Sequence, residues 1–245
     1  MNALRNYVTL VRMQLQMWRD QFVFMLIVQA AFTIGIVLGF GYIIPDISKT
    51  AAFYLTTGTA TQAVVTVGLV MLPQILSQAK AEGRLDYFLS LPISREAYLF
   101  SQVTIVAVIA VPGAVAAIAF GAWYYDLTLH ISPLILVVVP LSILSLAGFG
   151  VMIAMVSPYQ QLTNIITQLV IFYVLLFAPV LIPQSQLPWL LRHTADFMPP
   201  TYSADGIRAT VTNLPGTHLA RSLIVMTGFG LASVAISSFA IRRRG

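Results

Sequence analysis

The chain has 245 residues, 58% hydrophobic and 9% charged, with a formal net charge of +5 and no cysteine; its mean hydropathy is +0.87. A soluble domain covers its surface with about a quarter charged residues, so this composition excludes an ordinary soluble fold and points to a membrane protein. The missing cysteines exclude a disulfide framework, a thiolate metal site and a thiol nucleophile. The basic residues lie beside apolar runs rather than on one soluble face, so nucleic acid is not an expected partner.

Six apolar runs, solid rather than alternating, are each long enough to cross a hydrocarbon core of roughly 30 Å as a helix. They predict an all-α membrane protein with six transmembrane helices at about 21–44, 53–76, 98–121, 133–156, 162–182 and 219–241. Ahead of the first, Leu4, Val8, Val11, Leu15 and Trp18 recur at helical spacing, flanked by Arg5, Arg12 and Arg19. That stripe predicts an interfacial amphipathic helix over 1–20; a plain polar extension of the first span is the alternative. An even number of spans puts both termini on one side. With that side cytoplasmic, Arg5, Arg12, Arg19, Lys80, Arg84, Arg95, Arg242, Arg243 and Arg244 lie inside, and Lys49, Arg192, Arg208 and Arg221 fall outside or near the outer ends. The expected location is the plasma (inner) membrane of a bacterium.

Within the first span, Gly35 and Gly39 form a GxxxG step, and Gly148 with Gly150, then Gly228 with Gly230, thin the fourth and sixth. Such small faces serve packing inside one subunit or pairing of two. The second span carries Thr56, Thr57, Thr59, Thr61, Gln62 and Thr66; the fifth carries Thr163, Asn164, Thr167 and Gln168 in two adjacent i,i+4 rows. Thr59, Gln62, Thr66, Asn164 and Gln168 are the candidates to line a route for a partly polar, partly apolar substrate. The alternative is bonding between helices, or from each Thr to its own preceding turn.

Scarce charges collect between the second and third spans, in Lys80, Glu82, Arg84, Asp86, Arg95 and Glu96. If Gln78 to Phe88 continues as a helix, Lys80 and Arg84 share one side and Glu82 and Asp86 nearly the other, and both i,i+4 pairs are like-signed. Charges that do not serve each other in their own helix are expected to face a protein partner; a solvated inner loop is the alternative. Between the fifth and sixth spans, Pro183, Pro188, Pro199, Pro200 and Pro215 cut about 35 residues into pieces too short to span. Trp189, Leu190, His193 and Phe197 fit one side of a short external helix, and a second follows Pro199 and Pro200, with Asp205 and Arg208 as a weak i,i+3 pair.

The spans hold no Asp, Glu, Lys or His in their middles, so an ionisable relay for proton coupling is not expected. Neither lysine ends a G-x-x-x-x-G-K-[ST] loop. His130, His193 and His218 lack the spacing of a zinc helix, and no G-x-S-x-G elbow occurs. Neither catalytic nor metal-ligating residues are therefore assigned, and any pumping energy must come from another chain.

The run Lys80-Ala81-Glu82-Gly83-Arg84, followed by Leu89-Ser90-Leu91-Pro92-Ile93-Ser94-Arg95 between the second and third of six spans, resembles the permease subunits of type-2 ABC exporters. The layout is similar too: an N-terminal interfacial helix, a short inner loop at Ser157 to Gln161, and an external segment with Pro199-Pro200-Thr201-Tyr202 and Asp205-Gly206-Ile207-Arg208. The resemblance implies one permease domain over 1–245, with an interfacial helix at 1–20, a cytoplasmic coupling loop at 79–97 and an external helical segment at 183–218. It also implies two cytosolic ABC ATPase subunits, which bind ATP and Mg while this chain binds no cofactor, and a second permease copy or related permease. Lys80, Glu82, Gly83, Arg84 and Asp86 would couple to the ATPase, with the N-terminal helix and the Ser157 to Gln161 loop as accessory contacts. Spans one, two and five would form the route at the permease dimer interface. The expected cargo is amphipathic or lipid-like, a drug, lipid or glycolipid. An intramembrane enzyme and a non-transporting scaffold are the contrasting readings.

Overall fold

The computed structural model describes residues 2–44, 47–90, 95–177, 180–181, 188–189, 194–212, 214 and 216–242. Its helices are α1 (Asn2–Ile43), α2 (Lys49–Thr66), a π-helical stretch (Val67–Met71), α3 (Leu72–Ala81), α4 (Arg84–Ser90), α5 (Arg95–Tyr124), α6 (Ile135–Val156), α7 (Gln160–Phe177), α8 (Pro199–Val211) and α9 (Leu219–Arg242). A helix stands at each position where a span is predicted. Four segments are long and apolar enough to cross a bilayer, Phe22–Ile43, Lys49–Ala81, Ala97–Tyr124 and Ile135–Val156; the apolar parts of α7 and α9, Gln160–Leu175 and Leu219–Ala235, are shorter.

The amphipathic segment predicted over 1–20 is helical, but it is not a separate element. Residues 2 to 34 contain neither Gly nor Pro, and α1 runs on for 42 residues, about 63 Å at 1.5 Å per residue. Its first half docks on α5, where Tyr7 Oη meets Thr104 Oγ1 at 2.6 Å and Gln14 Nε2 donates to Ser101 Oγ at 2.7 Å. The buried face therefore runs through Leu10 and Gln14, while Val8 and Leu15 of the expected stripe are exposed.

The centre of the bundle is the second predicted span. Ser48 caps α2, its hydroxyl accepting from Ala51 N at 3.2 Å, and helix continues to Ala81 through the π stretch. Pro73 has no N–H to return to the carbonyl of Leu69, and the turns just ahead of it widen. Within the most apolar window of this path 83% of residues are buried, against 11% in the first span, which makes it the core around which α5, α6, α7 and α8 pack. Elsewhere α1 lies along α5 and α6 lies along α9.

Glycine permits two of these approaches. A Cβ on Gly150 of α6 would collide with the carbonyl oxygen of Gly68 in the π stretch, and one on Gly148 with Ser233 of α9. The GxxxG pair differs, because Cβ atoms at Gly35 and Gly39 would meet nothing within 4 Å. The glycines of the fourth span serve packing within this chain, and Gly35 and Gly39 of the first do not. Gly150→Val is expected to lower stability by about 1–3 kcal/mol through overpacking against backbone, with Gly35→Val neutral; the melting temperatures of the two purified variants in detergent measure this.

Candidate functional site

The charged segment is a helix, a tight turn and a second helix rather than the single helix its periodicity suggests. Glu82 ends α3, Gly83 takes a left-handed φ of +70°, a conformation that suits glycine, and α4 begins at Arg84. The break brings together charges that a continuous helix would hold apart. Glu82 Oε2 lies 2.5 Å from Arg84 Nε, and Gln78 Nε2 donates to Glu82 Oε1 at 2.8 Å. The expectation that these charges leave one another unserved is thus corrected for Glu82 and Arg84; a 100° step per residue does not survive Gly83. The Gln78 amide, with the Arg84 guanidinium beside it, holds the Glu82 carboxyl below its usual range despite partial desolvation. The pair is therefore formed above the ordinary carboxylate pKa and lost as pH falls through the lowered one.

Apolar side chains hold the turn in place. Leu85 of α4 is fully buried, and Phe88 stacks on the buried Tyr98 of α5 with centroids 5.1 Å apart. Lys80 points inward, its Nζ donating to the carbonyl of Ser157 at 2.5 Å, which ties the segment to the loop between α6 and α7. The two loops expected to meet a common partner are therefore bonded to each other. Gly83 and Asp86 are exposed at the surface. Leu91 to Ser94 and the side chains of Arg95 and Glu96 lie outside the described residues.

The five candidate pathway residues fall into two groups. Thr59 and Gln62 are buried within the chain, at 1% and 2% exposure, and Thr66 is half-buried. Three α2 hydroxyls turn onto their own helix: Thr57 donates to Phe53 O, Thr59 to Leu55 O and Thr61 to Thr57 O, at 2.7–2.8 Å. In α7 the two polar rows separate. Thr163 bonds Ser77 at 2.8 Å and Thr167 accepts from Gln74 at 3.3 Å, fastening α7 to α3, whereas Asn164 and Gln168 are exposed.

One cavity joins the two sets of predicted residues. About 430 Å³ in volume, it is enclosed by Met17, Trp18 and Met25 of α1, by Met71, Gln74, Ile75 and Gln78 of the central helix, by Arg84, and by Gln160 and Asn164 of α7. Among the described residues, Arg84 is its one charged wall. Gln74 and Gln78 escaped the sequence reading, although their i,i+4 spacing on a path ending in charge marks one polar face. A second cavity, about 580 Å³ and largely apolar, lies between α6 and α7 and reaches Phe197 to Pro200.

At the other end of α2 the helix α8 is held by a buried guanidinium. Arg208 is 1% exposed; its Nη1 donates to Asp205 at 3.0 Å, its Nη2 to the carbonyl of Val180 at 3.0 Å and its Nε to Thr57 at 3.3 Å. The ring of Tyr54 lies under it, 3.9 Å from centroid to Cζ. Gly58 is required here, since a Cβ would collide with the Val180 carbonyl. Burial pushes the Asp205 carboxyl up and pulls the Arg208 guanidinium down, each opposed by the other's charge. The predicted i,i+3 pair exists, but it is part of a buried anchor rather than a weak surface contact. The predicted helix around Trp189, Leu190, His193 and Phe197 falls largely outside the described residues. Arg208→Met is expected to destabilise the permease by roughly 3–5 kcal/mol, the cost of stranding the partners of a buried ion. Arg208→Lys should recover less than half of it, because an ammonium lacks the planar fork; thermal unfolding of the two variants tests both statements.

Comparison with curated proteins gives no match. The model of the ABC-2 type transporter family, in contrast, matches residues 6–212, a stretch that takes in α1, the central helix, the Glu82–Arg84 turn, the cavity and the Arg208 anchor. The chain belongs to the ABC-2 type transporter family, as a multi-pass membrane permease subunit.

Proposed function

We propose that this chain is the membrane half of an ATP-driven exporter. Two cytosolic ATPase subunits, which bind ATP and Mg, dock on the α3–α4 turn and the Ser157 to Gln161 loop. With a second permease copy or a related permease, the chain then forms the route for an amphipathic or lipid-like substrate. Both termini lie on the ATPase side of the plasma membrane. The observation that supports this reading is the sharing of one cavity by Arg84, from the expected coupling segment, and Asn164, from the expected pathway. A push on the turn alters the wall of a space large enough for a substrate headgroup. The bond from Lys80 to Ser157 passes the same push to α6 and α7.

Exchanging the paired residues, as Glu82→Arg with Arg84→Glu, keeps an opposite-charge pair within the turn and inverts the charges a partner meets. Co-purification of the ATPase is expected to fall about tenfold, with the yield of folded permease unchanged, as for a charge pair turned repulsive across an interface. Unchanged co-purification and transport would sink the coupling role. Asn164→Leu is expected to cut cargo transport in proteoliposomes severalfold while the melting temperature holds, since the side chain is exposed within this chain. A loss of stability with transport per folded molecule intact would make Asn164 a packing residue.

A further inference from the structure

The Glu82 carboxylate accepts a hydrogen bond from the amide of Gln78 at 2.8 Å and is ion-paired with the guanidinium of Arg84, 2.5 Å from Nε to Oε2. Both partners also line the 430 Å³ cavity. An amide and a guanidinium beside two oxygens of one anionic group are chemically indifferent to whether that group belongs to the chain. Glu82 itself approaches from an exposed turn, at 44% side-chain exposure, and Gly83 beside it has open space around its Cα, so the carboxylate can leave without disturbing the core. Arg84 cannot follow it far, because Leu85 and Phe88 root α4 in the protein.

The remainder of the wall describes what would replace it. Met17, Trp18, Met25, Met71 and Ile75 supply apolar and polarizable surface that adapts to an irregular chain, while Gln74, Gln160 and Asn164 add neutral donors and acceptors. Among the described residues no carboxylate lines the cavity, and the one charge there is positive. We propose that Gln78 and Arg84 form an anion site on this wall, that Glu82 is the chain's own occupant of it, and that the exchanging ligand is the phosphate- or carboxylate-bearing head of an amphiphile whose apolar part lies against the methionines and Trp18. The inference rests on the permease reading in taking that amphiphile as cargo. It adds that withdrawal of Glu82 toward a partner opens the site, so that partner docking and headgroup binding become mutually supportive.

Trp18 makes the site observable. The chain has three tryptophans, and Trp123 and Trp189 are exposed, so Trp123→Phe with Trp189→Phe leaves a single reporter on the cavity wall. The full-length permease is placed in phosphatidylcholine nanodiscs and titrated with a chain-brominated alkyl phosphate, with a chain-brominated alkyl maltoside as the neutral control. Saturable quenching by the phosphate alone is expected. Arg84→Gln should weaken it roughly tenfold, the loss of one charge-assisted hydrogen bond, with Arg84→Lys retaining part of the affinity. Glu82→Gln should instead tighten it about threefold or more, because a competing charge is removed; a merely structural role for the pair would weaken binding in both variants. Equal quenching by the maltoside, no tightening in Glu82→Gln, or displacement by millimolar inorganic phosphate alone would each overturn the proposal. The isolated permease suffices, so failure here leaves ATPase co-purification and transport to stand on their own, and failure of those leaves the quenching readable.

Discussion

The bundle depends on a threonine-rich helix being able to live at its centre. A hydroxyl without a partner in an apolar interior is costly, and α2 carries such groups on several sides. Thr57, Thr59 and Thr61 solve this locally by donating to carbonyls of their own preceding turn, which leaves their methyl groups to face the neighbours. The helix is polar in composition and apolar in the surface it presents. That lets α5 and α6 close around it, while α8 is joined to it by the polar contact of Arg208 with Thr57, and the second span is the most buried of the four long apolar segments.

The two ends of this central helix are held differently. At one end a buried arginine ties α2 to α8 and to Val180 through three hydrogen bonds and an aromatic face. At the other, attachment is through Lys80 to a loop carbonyl and through an exposed ion pair, a kind of contact worth little when solvated. Between them lies the π stretch ahead of Pro73, where the regular ladder is interrupted. A force on the α3–α4 turn therefore meets its firmest resistance near Arg208. The cavity sits on the weakly held side, beside the π stretch through Met71.

Much of this was legible from residue order. A helix stands at each of the predicted apolar runs and after Pro199 and Pro200, where periodicity and helix breakers put them. One reading is corrected. Treating residues 78–88 as one helix ignored that Gly83 is free to adopt a positive φ, and one residue in that region reverses which charges meet. The segment over 1–20 continues into the first span, and α5 covers one face of it through Tyr7 and Gln14. The hydroxyls and amides of α2 and α7 divide between buried and exposed faces, which helix rotation sets.

Composition and spacing by themselves determined that this chain is an all-α membrane protein, because apolar run length follows from solvation alone. They also set the position of the charged segment. Only tertiary structure decided that Arg208 is buried, that Lys80 bonds Ser157, and that Arg84 and Asn164 share a cavity. Each of these joins residues at least 28 positions apart or from different helices, and which faces of two helices meet depends on packing around a third, which no local pattern records.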